Sequence, residues 1–504
     1  MKRLLLLGHA PLPPEPRRIQ RSSNLRTWHF AKPLLDAGHT VLLVAARIPG
    51  SYPEDVSPRI ELGAEDLLGP EAAAIGDRLR YVSIPMARFN DPRVIQDFHD
   101  TFEPDAVIGI NSHPAARAVV LDTEVPIWCD LNGWALAEAQ TKAATYGDDH
   151  YLSHFWNLEA MVLDRADVLS TVSRAQAQAT VGELATRGRL NRRTLGHEFC
   201  HPIPNALAEI DPTPPPIRLR GQRVPEDAFV VLWLGGYNTW TDVDLLAEAL
   251  DQAATASPNL HFVSTGGALE GHDDLTFERF RERIAARPWA DRAHFVGWVP
   301  TEEVESYLRE SDLGLNVDNR SYETLFGARN RLNDMLRVSL PILTTLGTEI
   351  SQDLAERDLA LTVELGDVEG FAERLLWALD HRDELRAMGE RAADFGRTAY
   401  SYDGTTRALL EWAEDPQRAP DLGERVELDP SIDFFESGDP TVSRADLEAR
   451  CAELEERCGA LEDRRIELEG QLGEIHHSRM WHLWMAVLRV KGWLSGSGRS
   501  TAGT

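Results

Sequence analysis

The apolar positions of the first 200 residues come in short runs: RLLLLG (3–8), TVLLVA (40–45), DAVIGI (105–110), VPIWCD (125–130) and DVLSTV (167–172). Between them the spacing turns helical, as in NLRTWHFAKPLLDAG, which ends at Gly38, and SRAQAQATVGELATRG, which ends at Gly188. Short apolar runs alternating with helical stretches predict parallel strands flanked by helices. The alternation stops at EIDPTPPPIRLRGQRVPEDA (209–228), where prolines at 212, 214, 215 and 216 exclude a helix or strand interior. It then restarts with FVVLWLGG (229–236), LHFVSTGG (260–267), AHFVGW (293–298), DLGLNV (312–317), LPILTT (340–345) and LALTVEL (359–365).

Two such arrays joined by a proline-rich hinge predict an α/β chain with two Rossmann-like domains facing one another across a cleft. The first spans 1–208, the hinge 209–228 and the second 229–415. Ligands of open parallel sheets sit beyond the carboxyl ends of the strands, so the cleft is the expected site. Neither first strand is followed by a G-x-G-x-x-G fingerprint, which argues against a dehydrogenase.

Beyond the arrays the pattern changes twice. Residues 416–442 are acidic and proline-containing and read as a solvated linker. In 443–477, Leu447, Leu454, Leu461, Leu468 and Ile475 recur every seven residues. Cys451, Cys458 and Leu472 fill the other seam position, with Arg465 the misfit, so a coiled coil and a homo-oligomer are expected. The tail 478–504 places Trp481, Trp484 and Trp493 beside Arg479, Arg489 and Lys491, which suits peripheral contact with a membrane or packing on a partner subunit.

Composition narrows this picture. The formal charge of −29 argues against nucleic-acid binding, and four scattered cysteines carry neither a disulfide framework nor metal spacing, which fits a reducing cytoplasm. The opening MKRLLLLGHAPLPP has too short an apolar core for a signal peptide and reads as a buried strand. Basic residues collect in 1–50 and 478–504, against the acidic background, and point to anionic ligands or lipid there.

Candidate chemistry lies at the strand ends. Gly235 and Gly236, then Thr265, Gly266 and Gly267, would let backbone approach a ligand closely, with helices following as anion seats. Asp242 and Asp244 resemble a metal-binding D-x-D but fall at a helix start, where Asp242 reads as a cap. In SYETLFGARNRLNDML, Arg329 and Arg331 lie two apart near a helix start, suited to phosphate oxygens, while Glu323 can accept from sugar hydroxyls. The competing expectation pairs these arginines with Asp318, Glu323 or Asp334.

At these residues the chain resembles GT-B glycosyltransferases, near the large retaining family 4. The resemblance rests on HFVGWVPTEEVESYLRESDLGLNVDNRSYETLFGARNRLNDMLRVSLPILTT, on GGYNTWTD and STGG, and on HPIPNAL at the exit from the first domain. It implies a nucleotide-diphosphate sugar as donor, a glycan or glycolipid acceptor, no obligatory cofactor and no metal. The implied donor contacts are Gly235, Gly236, Asn238, Trp240, Thr265, Gly266, Gly267, Trp298, Val299, Asp318, Thr324, Arg329, Arg331 and Asp334. Glu323, Asp130 and His113 are the catalytic candidates, and Asn132, Arg17 and Arg18 face the acceptor. The sequence departs from the family in two places. Tyr237, Asn238 and Trp240 stand where an Arg and a Lys are common, and the paired glutamates are not intact, with Phe326 at the first position and Asp334 at the second. The rival expectations are a sugar-nucleotide epimerase of the same fold and a non-catalytic coiled-coil scaffold.

Overall fold

The computed structural model describes residues 1–15, 18–19, 21–52, 60–63, 67, 75–208, 217–269, 272–422 and 444–496 (444–448, 475–476 and 492–496 by backbone only). Arg17, the proline run 209–216 and the acidic stretch 423–443 lie outside the described residues.

The first sheet has eight strands: β1 (Arg3–Ala10), β2 (Thr40–Arg47), β3 (Glu61–Gly63), β4 (Leu79–Pro85), β5 (Ala106–Ile110), β6 (Ile127–Asp130), β7 (Val168–Thr171) and β8 (Cys200–Pro202). Their order is β3-β4-β2-β1-β5-β6-β7-β8, parallel except for the short β3 against β4. The second sheet contains β9 (Phe229–Leu234), β10 (Leu260–Thr265), β11 (Ala293–Gly297), β12 (Leu313–Asn316), β13 (Ile342–Leu346) and β14 (Leu361–Glu364), in the order β11-β10-β9-β12-β13-β14.

Both sheets are covered on both faces, which is why their strands read as unbroken apolar runs. Leu4, Leu6, Val41 and Leu43 enter one core of the first lobe, while Leu5, Leu7, Leu42 and Val44 enter the core on the opposite face. In the second lobe Phe229, Val231 and Trp233 point one way and Val230, Leu232 and Leu234 the other. Each strand order reverses once, between β1 and β5 and between β9 and β12. Those reversals open crevices at the carboxyl ends of the strands, where ligands of such sheets bind.

The end of the second domain differs from its expected limit at 415. After the helix Arg382–Ala399 the chain crosses back onto the first lobe. Leu409 and Ala413, on the helix Arg407–Glu414, join the core that holds Leu4 and Leu6, and Trp412 meets Trp128 at 5.3 Å. Residues placed in the linker continue this packing: Ala419 is buried, its amide donates to Asp167, and Asp421 pairs with buried Arg189 at 2.9 Å. The apolar face of 407–414 finds its complement in the first lobe, so the boundary falls near residue 400.

Residues 428–504 form a separate unit. Its described part is a helix over Arg444–His477 and another over Arg479–Gly496, with Leu454, Leu461, Leu468 and Leu472 exposed. Among the described residues, no helix is long and apolar enough to cross a membrane.

Candidate functional site at the facing strand edges

The second lobe presents backbone and a cation at its reversal point. Gly235, after β9, has φ +87°, and Gly266, after β10, has φ +91°. A Cβ on Gly266 would stand 2.3 Å from the Gly235 carbonyl oxygen, so this approach of two loops requires glycine. Gly236 is closed in by Leu269, and Gly267 lies against Phe277. Thr265 is buried at the end of β10. Asn238 closes a turn with Thr241, and Asp242 caps the helix Val243–Ala256 by accepting from the Leu245 amide at 3.0 Å. Asp244 pairs with Arg279 and Arg283. Tyr237 is core: it stacks on Trp233 at 4.7 Å and its hydroxyl meets Ser264 at 2.8 Å. Among the described residues, no group of three or more His, Cys, Asp or Glu is arranged to hold a metal.

The two arginines have different surroundings. Arg329 precedes the helix Asn330–Arg337 and is buried. Its Nε donates to Asp318 at 2.7 Å, and its two terminal nitrogens donate to the two Glu323 oxygens at 3.0 and 2.7 Å. Asp318 and Glu323 come from the end of β12 and from the helix Tyr322–Phe326, which Ser321 caps, so this ion triad pins the loop. Thr324 contributes its hydroxyl at 3.4 Å from Arg329. Arg329 was expected to meet the diphosphate and Glu323 to act in catalysis. Their mutual pairing occupies the guanidinium and gives each Glu323 oxygen one donor, so both residues support the loop. Burial nonetheless raises the Glu323 pKa, against the pull of Arg329.

Arg331 has no such partner. Its guanidinium lies over the Trp233 ring at 3.8 Å, and one N–H donates to the Gly236 carbonyl at 2.8 Å. Among the described residues, no carboxylate lies within ion-pair distance of it. Burial lowers its pKa to about 10, with Asp318 pulling the other way. A desolvated cation without an ion pair among the described residues, beside two glycine loops, has the chemistry that suits an anion.

Other residues of the expected donor set have partners of their own. Trp240 lies 5.5 Å from Arg329. Trp298 donates to the Ala268 carbonyl at 3.0 Å and carries Arg21 of the first lobe on its ring at 3.8 Å. Val299 packs into the second-lobe core. Asp334 turns toward Arg337 and Glu305, and burial lifts its pKa to about 6.

The first-lobe edge carries imidazoles and amides at its strand ends. His9 and His113 stack at 6.0 Å, and burial lowers them to about 3 and about 4. His113 meets Asn90 at 2.8 Å. Asn111 and Asn132, after β5 and β6, both take left-handed backbone (φ +73° and +56°), and the Asn132 amide donates to Asn111 at 2.9 Å. Asp130 was expected as a catalytic carboxylate. It is fully buried, bidentate with Arg26 at 2.7 and 3.0 Å, and accepts from Ser170 at 2.8 Å. Its oxygens are consumed inside the lobe, so the expectation is corrected to a structural role. Arg18 reaches the opposite lobe through its carbonyl, which accepts from Thr301 at 3.1 Å.

One carboxyl escaped the sequence reading. Glu138, in the helix Ala135–Tyr146, faces Glu323 and Arg329 across the gap. Burial, then repulsion from Glu323, raises its pKa to about 7. The same helix touches the second lobe at Thr141, 2.8 Å from Thr239, and at Tyr146, whose hydroxyl donates to Asp273 at 3.1 Å. Glu138, Lys142 and Tyr146 are spaced one turn apart, a polar stripe visible in the sequence.

Two parallel sheets with facing reversal points and a terminal crossover define the GT-B fold. Residues 228–381 match the model of the family described as Glycosyl transferases group 1. Among solved structures, sucrose-phosphate synthase from Thermosynechococcus elongatus is similar with a TM-score of 0.61 at 13% identity, covering 82% of this chain and 98% of that one. The Escherichia coli trehalose-6-phosphate structure bound with UDP-2-fluoro glucose gives 0.58 at 11%, covering 82% and 100%. Anabaena HepE in complex with UDP and glucose gives 0.56 at 13%, with the same coverage. No curated protein sequence matches the chain. The resemblance to GT-B glycosyltransferases drawn from the motifs is thus borne out.

Proposed function

We propose that the protein is a glycosyltransferase that moves a sugar from a nucleotide-diphosphate sugar to a growing, lipid-linked surface glycan with retention of configuration. The observation that carries this reading is Arg331, a cation without a carboxylate partner among the described residues, set beside Gly235, Gly236 and Gly266. The diphosphate docks there, with the Gly-rich loops supplying backbone and the Arg329 triad holding the loop in place. The sugar lies toward His9, Asn111, Asn132 and Glu138, whose neutral or protonatable groups suit hydroxyls.

In this reading the bond from the anomeric carbon to the diphosphate breaks as the acceptor oxygen bonds that carbon on the same face. The acceptor proton passes to the leaving phosphate oxygen. Arg331 neutralises the charge that develops on the diphosphate, so catalysis comes from positioning and electrostatics without a protein nucleophile or metal. The names of two neighbours, bound with UDP and with UDP-2-fluoro glucose, support a uridine nucleotide as the first donor to try. The C-terminal helices serve as a homo-oligomeric coil with peripheral contact at the inner face of the membrane.

Calorimetric titration with UDP, GDP and ADP in excess chelator tests this reading. One nucleotide should bind wild-type protein and lose most of its affinity in Arg331→Ala. Equal affinity in both proteins would sink the assignment.

A further inference from the structure

The first lobe holds a second cavity, of about 300 Å³, which the site above does not use. That volume is at the lower end of ligand pockets, roughly 300–1,000 Å³. The helices His150–Arg165 and Arg174–Thr186 form its walls, and Leu136, at the start of the Glu138 helix, closes it. Glu159 lines it and is only 2% exposed, yet neither of its carboxyl oxygens receives a hydrogen bond of normal geometry. The Leu136 amide and the Trp134 indole lie near enough to stabilise its charge without closing such a bond. Glu183, beside it, accepts from the Trp134 indole at 3.3 Å through one oxygen and leaves the other unpartnered.

Buried carboxyl oxygens without donors are rare, because each forfeits its hydration. At the mouth Trp156 is 54% exposed, an unusual position for so large an apolar ring. It is flanked by Arg187, 5.6 Å from the ring, one terminal nitrogen of which already donates to both Asp164 oxygens at 3.1 Å. The cavity therefore offers one open aromatic face, acceptors lacking donors, and a cation already neutralised. An anion gains nothing there. A ring with an apolar face and several hydroxyls satisfies every part. Burial pushes both carboxyls up, Glu183 to about 7, so the pair holds a proton near neutrality and can donate as well as accept.

We propose that this cavity is a carbohydrate subsite of the first lobe, holding a neutral sugar unit of the acceptor glycan with its ring on Trp156 and its hydroxyls on Glu159 and Glu183. The identity of that sugar as part of an acceptor rests on the transferase reading; the binding of a sugar does not. Trp134 joins the subsite to the gap between lobes, since its ring also meets Phe326 of the second lobe at 4.9 Å.

The test is saturation-transfer NMR on the full chain with trisaccharides of glucose, galactose, mannose and rhamnose, alongside UDP-induced thermal shift. At least one trisaccharide should give transfer that falls tenfold or more in Trp156→Ala and severalfold in Glu159→Gln, with the UDP shift unchanged. Trp156 is at the surface, so its variant should keep the wild-type melting temperature. No signal from any of the four, or a signal that both variants retain, overturns the subsite. Loss of the UDP shift with sugar binding intact would instead strike the transferase reading and leave the subsite standing.

Discussion

The two strand edges that face each other use opposite chemistry on the same scaffold. At the second sheet, side chains withdraw: glycines expose backbone, and beside them one guanidinium lies on Trp233 without an ion pair among the described residues. At the first sheet, side chains crowd in, and those after β1, β5 and β6 are neutral or protonatable: two imidazoles held neutral by burial and two asparagines in left-handed backbone, with a carboxyl raised to about 7 on the helix that follows. A parallel sheet thus fixes where a ligand sits, while the residues at its rim decide whether it takes charge or hydroxyls. The same contrast recurs between two arginines only two positions apart at the second edge. Arg329 is spent on Asp318 and Glu323, whereas Arg331 donates to the Gly236 carbonyl and makes no ion pair among the described residues.

The largest effect should come from breaking the triad. Arg329→Ala leaves two buried carboxylates uncompensated, which costs about 3–5 kcal/mol, and the urea midpoint should drop sharply. A second arginine of equal importance to the fold would make Arg331→Ala just as damaging. The contrast instead predicts that Arg331→Ala keeps its midpoint and loses nucleotide affinity by roughly ten- to a hundredfold, as for a hydrogen bond to a charged group. Arg331→Lys should recover part of this in calorimetry, because charge is kept and the paired donors are lost.

Glu138 sharpens the other side of the comparison. Folded, it holds its proton up to about pH 7, against 4.5 for the ordinary group. Between those values the folded chain binds more protons than the unfolded one, so this group makes stability fall as pH rises. Above pH 7 the penalty is complete, and below 4.5 it vanishes. Glu138→Gln removes that part of the slope, by at most about 1.4 kcal/mol per pKa unit. Melting temperatures at pH 5 and pH 8 should therefore differ less in the variant. An unchanged difference would mean Glu138 does not titrate as described.

The smallest effect is expected at the seam. Thr141→Val deletes a hydroxyl pair with Thr239 at 2.8 Å, worth about 0.5–1.5 kcal/mol. Amide exchange should quicken around residues 135–146 and 237–241 while the sheet cores stay protected.

Much of this was legible in the chain, for reasons that can be stated. All six second-lobe strands appear as apolar runs because both their faces are buried. Strand β4 escaped because Arg80 and Ser83 interrupt its run, and β3 and β8 are too short to carry a pattern. Gly235 and Gly266 announced a close approach. The different roles of Arg329 and Arg331 could not be read, since both are two residues apart with acids upstream, and only the fold brings Asp318 to one of them. Asp130 looked catalytic because its strand ends at the cleft, but Arg26, 104 residues away, closes on it from behind. Glu138 was within reach, as the first of a polar stripe on a helix that follows a strand end.

The crossover near residue 400 also settles where load enters the body. Any force transmitted along the chain beyond residue 422 meets Asp421 locked to Arg189, and Asp167 gripping the Ala419 amide, before it can reach β9–β14. The first lobe is therefore the moored half, and the second is joined to it by the chain near residues 203–207 and 400 and by seam contacts such as Thr141 with Thr239 and Tyr146 with Asp273.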